Sequence, residues 1–341
     1  MLSRASAIHH KQSGVCLNTP LLVPSYSSRG FRLGKNGDSE IRQILAATAE
    51  FITESYLISA YDIHHGHLPS PDGLPCKPEL IVVDSGGYEI SNTRDFSSVM
   101  EEPPGQKPWS LAHFMAMLDD WPGEIPAVFV SYDHPKERRS LLQQVKAARA
   151  LFQGRSQHLH ALLIKPETDT QQTLDKSLRG AIASVEELSA FDLIGLTEKE
   201  LGSSMLNRMV QIARLRTAMD EVGIRIPIHV FGSLDPVSTC LYCIAGAEVF
   251  DGLTWLRYGY SDDGRCVYRR NVMAMRYGIH QIDDSATSRA KMVVDNLYRL
   301  QKLQRDLQDF VSTGSFEKLG PHAKFFERAR DSLNTKLRGG A

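Results

Sequence analysis

The 341-residue chain has no run of 18 consecutive apolar residues, so no segment of it reads as a membrane span. Cysteine is scarce. The five residues Cys16, Cys76, Cys240, Cys243 and Cys266 are odd in number and scattered, which excludes a disulfide framework and fits a reducing, cytoplasmic setting. Cys240 and Cys243 have redox-like spacing, but they fall in an apolar helical pattern from Val237 to Ile244 and read as helix core. Residues 1–14 lack the apolar core of a secretory signal and only share scattered basic and serine residues with a transit peptide. No internal repeat or low-complexity tract is present, and no GxGxxG turn follows the first strand, as an open dinucleotide-binding sheet would require. Strong charge of one sign is also missing. The formal net charge is −1, but residues 252–341 hold 16 Lys/Arg against 10 Asp/Glu, a local +6 beside an acidic body of −7. That asymmetry suits a polyanionic partner, and equally a solvated helical surface.

What is present is a repeated pattern of short apolar strands that end in a carboxylate. Leu80-Ile81-Val82-Val83 runs into Asp84-Ser85-Gly86-Gly87-Tyr88. Val128–Tyr132 ends in Asp133, and Ala247–Phe250 ends in Asp251-Gly252. A carboxylate at the end of a buried strand is costly without a task or a partner. The eight predicted strands are Pro20–Pro24, Tyr56–Tyr61, Leu80–Val83, Ala127–Ser131, His160–Ile164, Asp192–Gly195, Ile226–Phe231 and Ala247–Phe250. Helical patterns intervene at Glu40–Glu54, Lys136–Phe152, Asp169–Leu188, Ser203–Val222 and Asp235–Ala245, the last with Asp235-Pro236 as its cap. Eight apolar strands alternating with helices predict an α/β fold, a (β/α)8 TIM barrel. Asp62, Asp84, Asp133, Lys165, Glu198, Gly232 and Asp251 fall at or just after strand C-termini, where barrel active sites are built. We divide the chain into a catalytic barrel, 1–256, and a basic C-terminal extension, 257–341. In the extension, residues 257–284 read as a long loop or small insertion. Ser285–Phe310 reads as an amphipathic helix with Val293, Leu297, Leu300, Leu307 and Phe310 on one face, and Lys324–Leu337 as a further helix.

Taken in order, these motifs resemble the tRNA-guanine transglycosylases. Asp84-Ser85-Gly86-Gly87-Tyr88-Glu89 resembles the family's DSGGFQ, and Tyr132-Asp133 its base-recognising aspartate. Ile194–Glu200 resembles its glycine-leucine loop with a later glutamate, and Phe231-Gly232 with Gly246–Asp251 its glycine turn and nucleophile strand. The resemblance implies exchange of a guanine in nucleic acid for a 7-deazaguanine through a covalent aspartyl-glycosyl intermediate. Asp251 is then the nucleophile and Asp84 the acid and base. Asp133 reads the guanine N1 and amino donors, and Gly195 and Leu196 offer backbone amides to the base. Tyr88 stacks on the base, Glu200 holds an amine substituent, and Ser85, Gly86 and Gly87 shape the pocket. Arg257, Arg269, Arg270 and Arg276 supply phosphate contacts.

The departures bear on the substrate. The family's zinc site uses three closely spaced cysteines and a histidine, whereas only Cys266, His280 and His322 follow Asp251 here, so neither metal nor cofactor is expected. Tyr88-Glu89 replaces Phe-Gln, and Lys165-Pro166 stands where a glutamine and a glycine are expected. The expected partners are a nucleic acid, tRNA or alternatively DNA, and a 7-deazaguanine base; a homodimer is compatible with the resemblance. A competing reading takes His64, His65 and His67 with Lys165, His229 and Asp251 as a metal-dependent amidohydrolase. A third, a non-catalytic binding subunit, sits poorly with the presence of both Asp84 and Asp251.

Overall fold

The computed structural model describes residues 2–33, 39–91, 106–133, 139–167, 175–280 and 286–339. Eight parallel strands close into a barrel in sequential order: β3 (Leu21–Tyr26), β4 (Ser55–Ser59), β5 (Leu80–Asp84), β6 (Ala127–Val130), β7 (Leu159–Ile164), β8 (Leu193–Thr197), β9 (Ile228–Phe231) and β10 (Val249–Gly252), which pairs back onto β3. The fold is the (β/α)8 barrel that the sequence predicts. Predicted strand ends lie within a few residues of the observed ones, except that Ala60 and Tyr61 belong to the short helix α2 (Ala60–His64), after α1 (Glu40–Thr48). The later crossovers are α3 (Leu111–Asp119), α4 (Leu141–Phe152), α5 (Asp175–Ala183), α6 (Met205–Glu221) and α7 (Pro236–Ile244). Asp235 caps α7 as expected, its Oδ1 accepting the amides of Val237 and Ser238 at 2.9 and 3.0 Å. The start of the predicted Lys136–Phe152 helix and residues 169–174 lie outside the described residues.

Strand parity separates two cores. Leu21, Val23, Leu57, Leu80, Val82, Val128, Val130, Ala161, Leu163, Leu193 and Val249 fill the barrel interior, while the residues alternating with them, such as Leu22, Ile81, Phe129, Ile194 and Phe250, pack under the helices. Side chains alternate between the two faces of a strand. Extending the inward parity to the C-terminal end of each strand therefore points Ser25, Ser59, Asp84, Lys165, Thr197 and Asp251 into the mouth.

Three features lie beyond the sequence reading. A hairpin, β1 (Ser6–His10) with β2 (Val15–Thr19), stoppers the N-terminal end of the barrel, where Ile8 and Leu17 join the interior core. Of the two expectations for 257–284, the described residues up to 280 form the small insertion: α8 (Thr254–Arg257) leads into the hairpin β11 (Gly259–Tyr260)–β12 (Cys266–Val267) and then α9 (Arg269–Tyr277). The third is the position of α10 (Ala286–Thr313), which occupies the place of the eighth barrel helix. Its Gln304 accepts the amide of Leu22 on β3 at 2.8 Å, its Arg289 pairs with Glu40 on α1, and its apolar stripe is buried as predicted. The last barrel helix thus lies inside the basic extension. It is followed by α11 (Ala323–Arg338).

Candidate active site

Asp251 ends β10 with its carboxylate buried and held at both oxygens. Ser25 Oγ donates to Oδ2 at 2.7 Å, and His229 Nε2 lies 3.0 Å from Oδ1. His229 is fully buried and stacks on Phe231 at 3.8 Å between ring centroids. Ser25 does not stand out in the sequence, and His229 is grouped with Asp251 only as a metal ligand in the amidohydrolase reading. Their signal was strand parity, which turns both inward beside β10.

Asp84 ends β5 and accepts one hydrogen bond, from the Gly86 amide at 3.2 Å. Burial pushes its carboxyl up to about 7; the neighbouring Glu89 carboxylate, and then Asp251 and Asp133, add to the rise against the lowering by the Gly86 amide. Asp84 is therefore close to half protonated at neutral pH. Glu89 is buried and accepts Ser27 Oγ at 2.5 Å and Ser59 Oγ at 2.8 Å. Asp62 on α2 has no exposed surface; its Oδ2 accepts the Ser28 amide at 2.7 Å, and burial, followed by the Glu89 charge, raises its carboxyl well above the usual range. Asp84, Glu89, Asp62, Asp133 and Asp251 thus share one mouth.

The opposite wall carries a cation. Lys165 Nζ lies 3.3 Å from Asp133 Oδ2, 2.8 Å from Glu200 Oε2 and 3.2 Å from Thr197 Oγ1. A cleft opens beside this group, lined by Ser131, Tyr132, Asp133, Arg139, Gln144 and Lys165. Glu200 is buried in this ion pair, so it is not a solvated helix charge. Glu198, by contrast, accepts Tyr242 Oη at 2.8 Å and ties β8 to α7.

Several assigned roles change. Gly195 and Leu196 lie inside β8, paired on one side with Leu163 and Ile164 and on the other with His229 and Val230, so their amides belong to the barrel ladder and do not reach a ligand. Gly195 is required for another reason: a Cβ there would stand 2.7 Å from the Phe231 ring. Tyr88 is not a bare stacking surface. The Arg29 guanidinium covers its ring at 4.5 Å, and Arg257 donates to its hydroxyl at 3.0 Å. Gly86 and Gly87 serve loop packing. Gly86 has φ +86°, and a Cβ would stand 2.8 Å from Tyr61; a Cβ at Gly87 would stand 2.7 Å from the Asp133 carbonyl. Ser85 accepts the Asp133 amide at 3.2 Å, joining the two acidic strand ends.

The arginines of α9 are not equivalent. Arg276 pairs with Asp295 at 3.0 Å and reaches Asp262, so it clamps the β11–β12 hairpin to α10, whereas Arg270 is exposed. His64 and His65 pack edge-on at 4.8 Å, and His64 faces His113 at the same separation. Burial, with the neighbouring His64 and Lys107 charges, holds His65 down at about 4. Among the described residues no group of three or more His, Cys, Asp or Glu side chains is arranged to hold a metal ion.

No family model matches this chain, and no curated protein does.

Proposed function

We propose that this protein is a base-exchange transglycosylase that replaces a guanine in nucleic acid with a 7-deazaguanine. The observation that carries the reading is the pairing on one barrel rim of two carboxyl groups in different surroundings. Asp251 is held at both oxygens by Ser25 and His229, and Asp84 is poised near 7. Two carboxyls whose environments set them apart are the usual basis for dividing nucleophile from acid.

In this reading the Asp251 carboxylate attacks C1′ of the target nucleoside as the bond to guanine breaks, and protonated Asp84 delivers its proton to the departing base. The product is an aspartyl-glycosyl ester. The incoming base then attacks C1′ through its ring nitrogen and loses the proton on that nitrogen to the Asp84 carboxylate; the ester bond breaks and Asp251 is regenerated. A group near neutrality serves both steps. Asp133 and Lys165 lie side by side as an acceptor and a donor. That arrangement suits the guanine edge, where an N1–H donor adjoins the O6 acceptor, and it accounts for a lysine where the resembling family has glutamine.

The experiment is exchange of radiolabelled guanine into tRNA and into duplex DNA, side by side. The expected outcome is incorporation into one of them, lost by more than about 10³-fold in Asp251→Asn, together with a covalent enzyme–nucleic acid adduct absent from that variant. No incorporation into either, or an adduct that survives in Asp251→Asn, overturns the reading.

A further inference from the structure

We propose that Glu89 is a positioning residue whose carboxylate, held by Ser27 and Ser59, places the mobile proton of the site on Asp84. The role assigned to that proton rests on the transglycosylase reading; the proton's presence does not.

Glu89 receives two hydroxyl hydrogen bonds, from Ser27 after β3 and from Ser59 at the end of β4. Ser59 is the direct register partner of Asp84 across the β4–β5 ladder. Parity turns both side chains into the mouth, so the hydroxyl that holds Glu89 stands beside the Asp84 carboxyl. The three acids nevertheless differ in their donors. Glu89 has a hydroxyl on each oxygen and Asp84 has one long amide contact; Asp62 is held by Ser28 alone, and its buried Oδ1 has no hydrogen-bond partner. Charge in such a cluster settles on the member with both oxygens held by donors, and the others retain protons because like charges at close range cannot all ionise. Glu89 is that member.

The groups facing Asp84 fit this account. Asp133 and Asp251 stand across the mouth, and their negative charges act in the same sense as Glu89. Asp62 lies on α2 behind Glu89. The cations are directed elsewhere: Lys165 pairs with Asp133 and Glu200, and Arg29 bonds the Tyr88 carbonyl and covers its ring. Tyr61 on α2 donates no bond to Asp84; its hydroxyl accepts the Lys107 amide. A glutamine at position 89 would preserve the shape and hydrogen-bonding capacity of the site and remove only the charge.

The test is infrared spectroscopy of the full-length protein with ¹³C-labelled aspartate, following the protonated-carboxyl band that Asp84→Asn removes. In the wild type that band is expected to titrate near neutrality. In Glu89→Gln its midpoint falls by about one pH unit or more, and in Ser59→Ala, which withdraws one donor from Glu89, it moves in the same direction by less. At pH 8 a one-unit fall cuts the protonated fraction about tenfold, and guanine exchange falls with it, while at pH 6 the same fall cuts that fraction only about twofold. An unchanged midpoint in folded Glu89→Gln, or in Ser59→Ala if the first variant does not fold, overturns the proposal and leaves Glu89 a loop tie. The infrared measurement needs no nucleic acid. A shifted band in a protein that exchanges no guanine would therefore keep Glu89 in this role and remove the transglycosylase reading.

Discussion

The two mouths of the barrel bury charge in opposite ways. At the N-terminal mouth Glu248 and Arg216 form an ion pair with no exposed surface on either side chain. Arg216 also donates to the Gly246 and Ile226 carbonyls, Ser6 from the hairpin donates to Glu248, and the β1–β2 stopper closes over them. At the C-terminal mouth five carboxyl groups crowd together. Two are pushed well above their usual range, Lys165 answers Asp133 and Glu200, and Asp62 keeps a buried oxygen without a partner. The desolvation cost is of the same kind at both ends. One end offsets part of it with a counter-ion and holds the structure together, although burial still raises the Glu248 carboxyl and lowers the Arg216 guanidinium. The other leaves it standing as protons that can move. Matched charge marks the structural end, and mismatched charge marks the chemical one.

The sharpest way to break the comparison is to unbalance the matched end. Glu248→Gln leaves Arg216 buried without its counter-ion and is expected to cost about 3–5 kcal/mol in urea denaturation. Guanine exchange per folded molecule should not change. Lost exchange in protein that remains folded would mean that the two mouths are coupled.

Relieving the mismatched end should have the opposite sign. The Asp84 carboxyl lies at about 7 in the fold against an ordinary 3.8, so the folded state binds the extra proton. The stability this contributes is complete below about pH 4 and is lost as pH rises through 7. Asp84→Asn is therefore expected to gain on the wild type as pH rises. By pH 8 we expect a gain, relative to pH 4, of about 1–3 kcal/mol after allowance for solvent screening, or a few degrees in Tm. Melting curves at pH 4, 6 and 8 measure this, and a gap that does not widen with pH refutes it.

The smallest effect separates two arginines that composition treats alike. Arg276→Ala breaks the clamp to Asp295 and should cost about 1 kcal/mol while leaving the salt dependence of nucleic-acid binding unchanged. Arg270→Ala should leave the melting temperature alone and flatten the salt slope by roughly one unit, if α9 tracks the phosphate backbone. The reverse result would place the backbone along the clamp.

Much of this was legible in the chain itself. Near-continuous apolar runs separated by helical patterns specify eight strands and their order, because burial on both faces leaves no other use for such runs. The aspartates at positions 84, 133 and 251 fall on strand ends for the same reason. Element lengths around residues 257–284 were not legible, since two-residue strands carry no periodic signal. Nor was the stopper hairpin, whose apolar residues form only the short clusters Ala7-Ile8 and Val15-Cys16-Leu17 among polar ones.

What the sequence determined alone is local: strand, helix, cap and the face each side chain takes. Which acids share a space was decided only when the barrel closed and brought β10 against β3, setting Ser25 on Asp251 across 226 residues and Glu89 among Ser27, Ser59 and Asp62. The same closure committed Gly195 and Leu196 to the ladders of the neighbouring strands, while the packing of α9 against α10 and the hairpin divided Arg270 from Arg276. Proton affinity depends on neighbours within a few ångströms and on the water they exclude. Sequence spacing carries neither quantity; the folded barrel sets both.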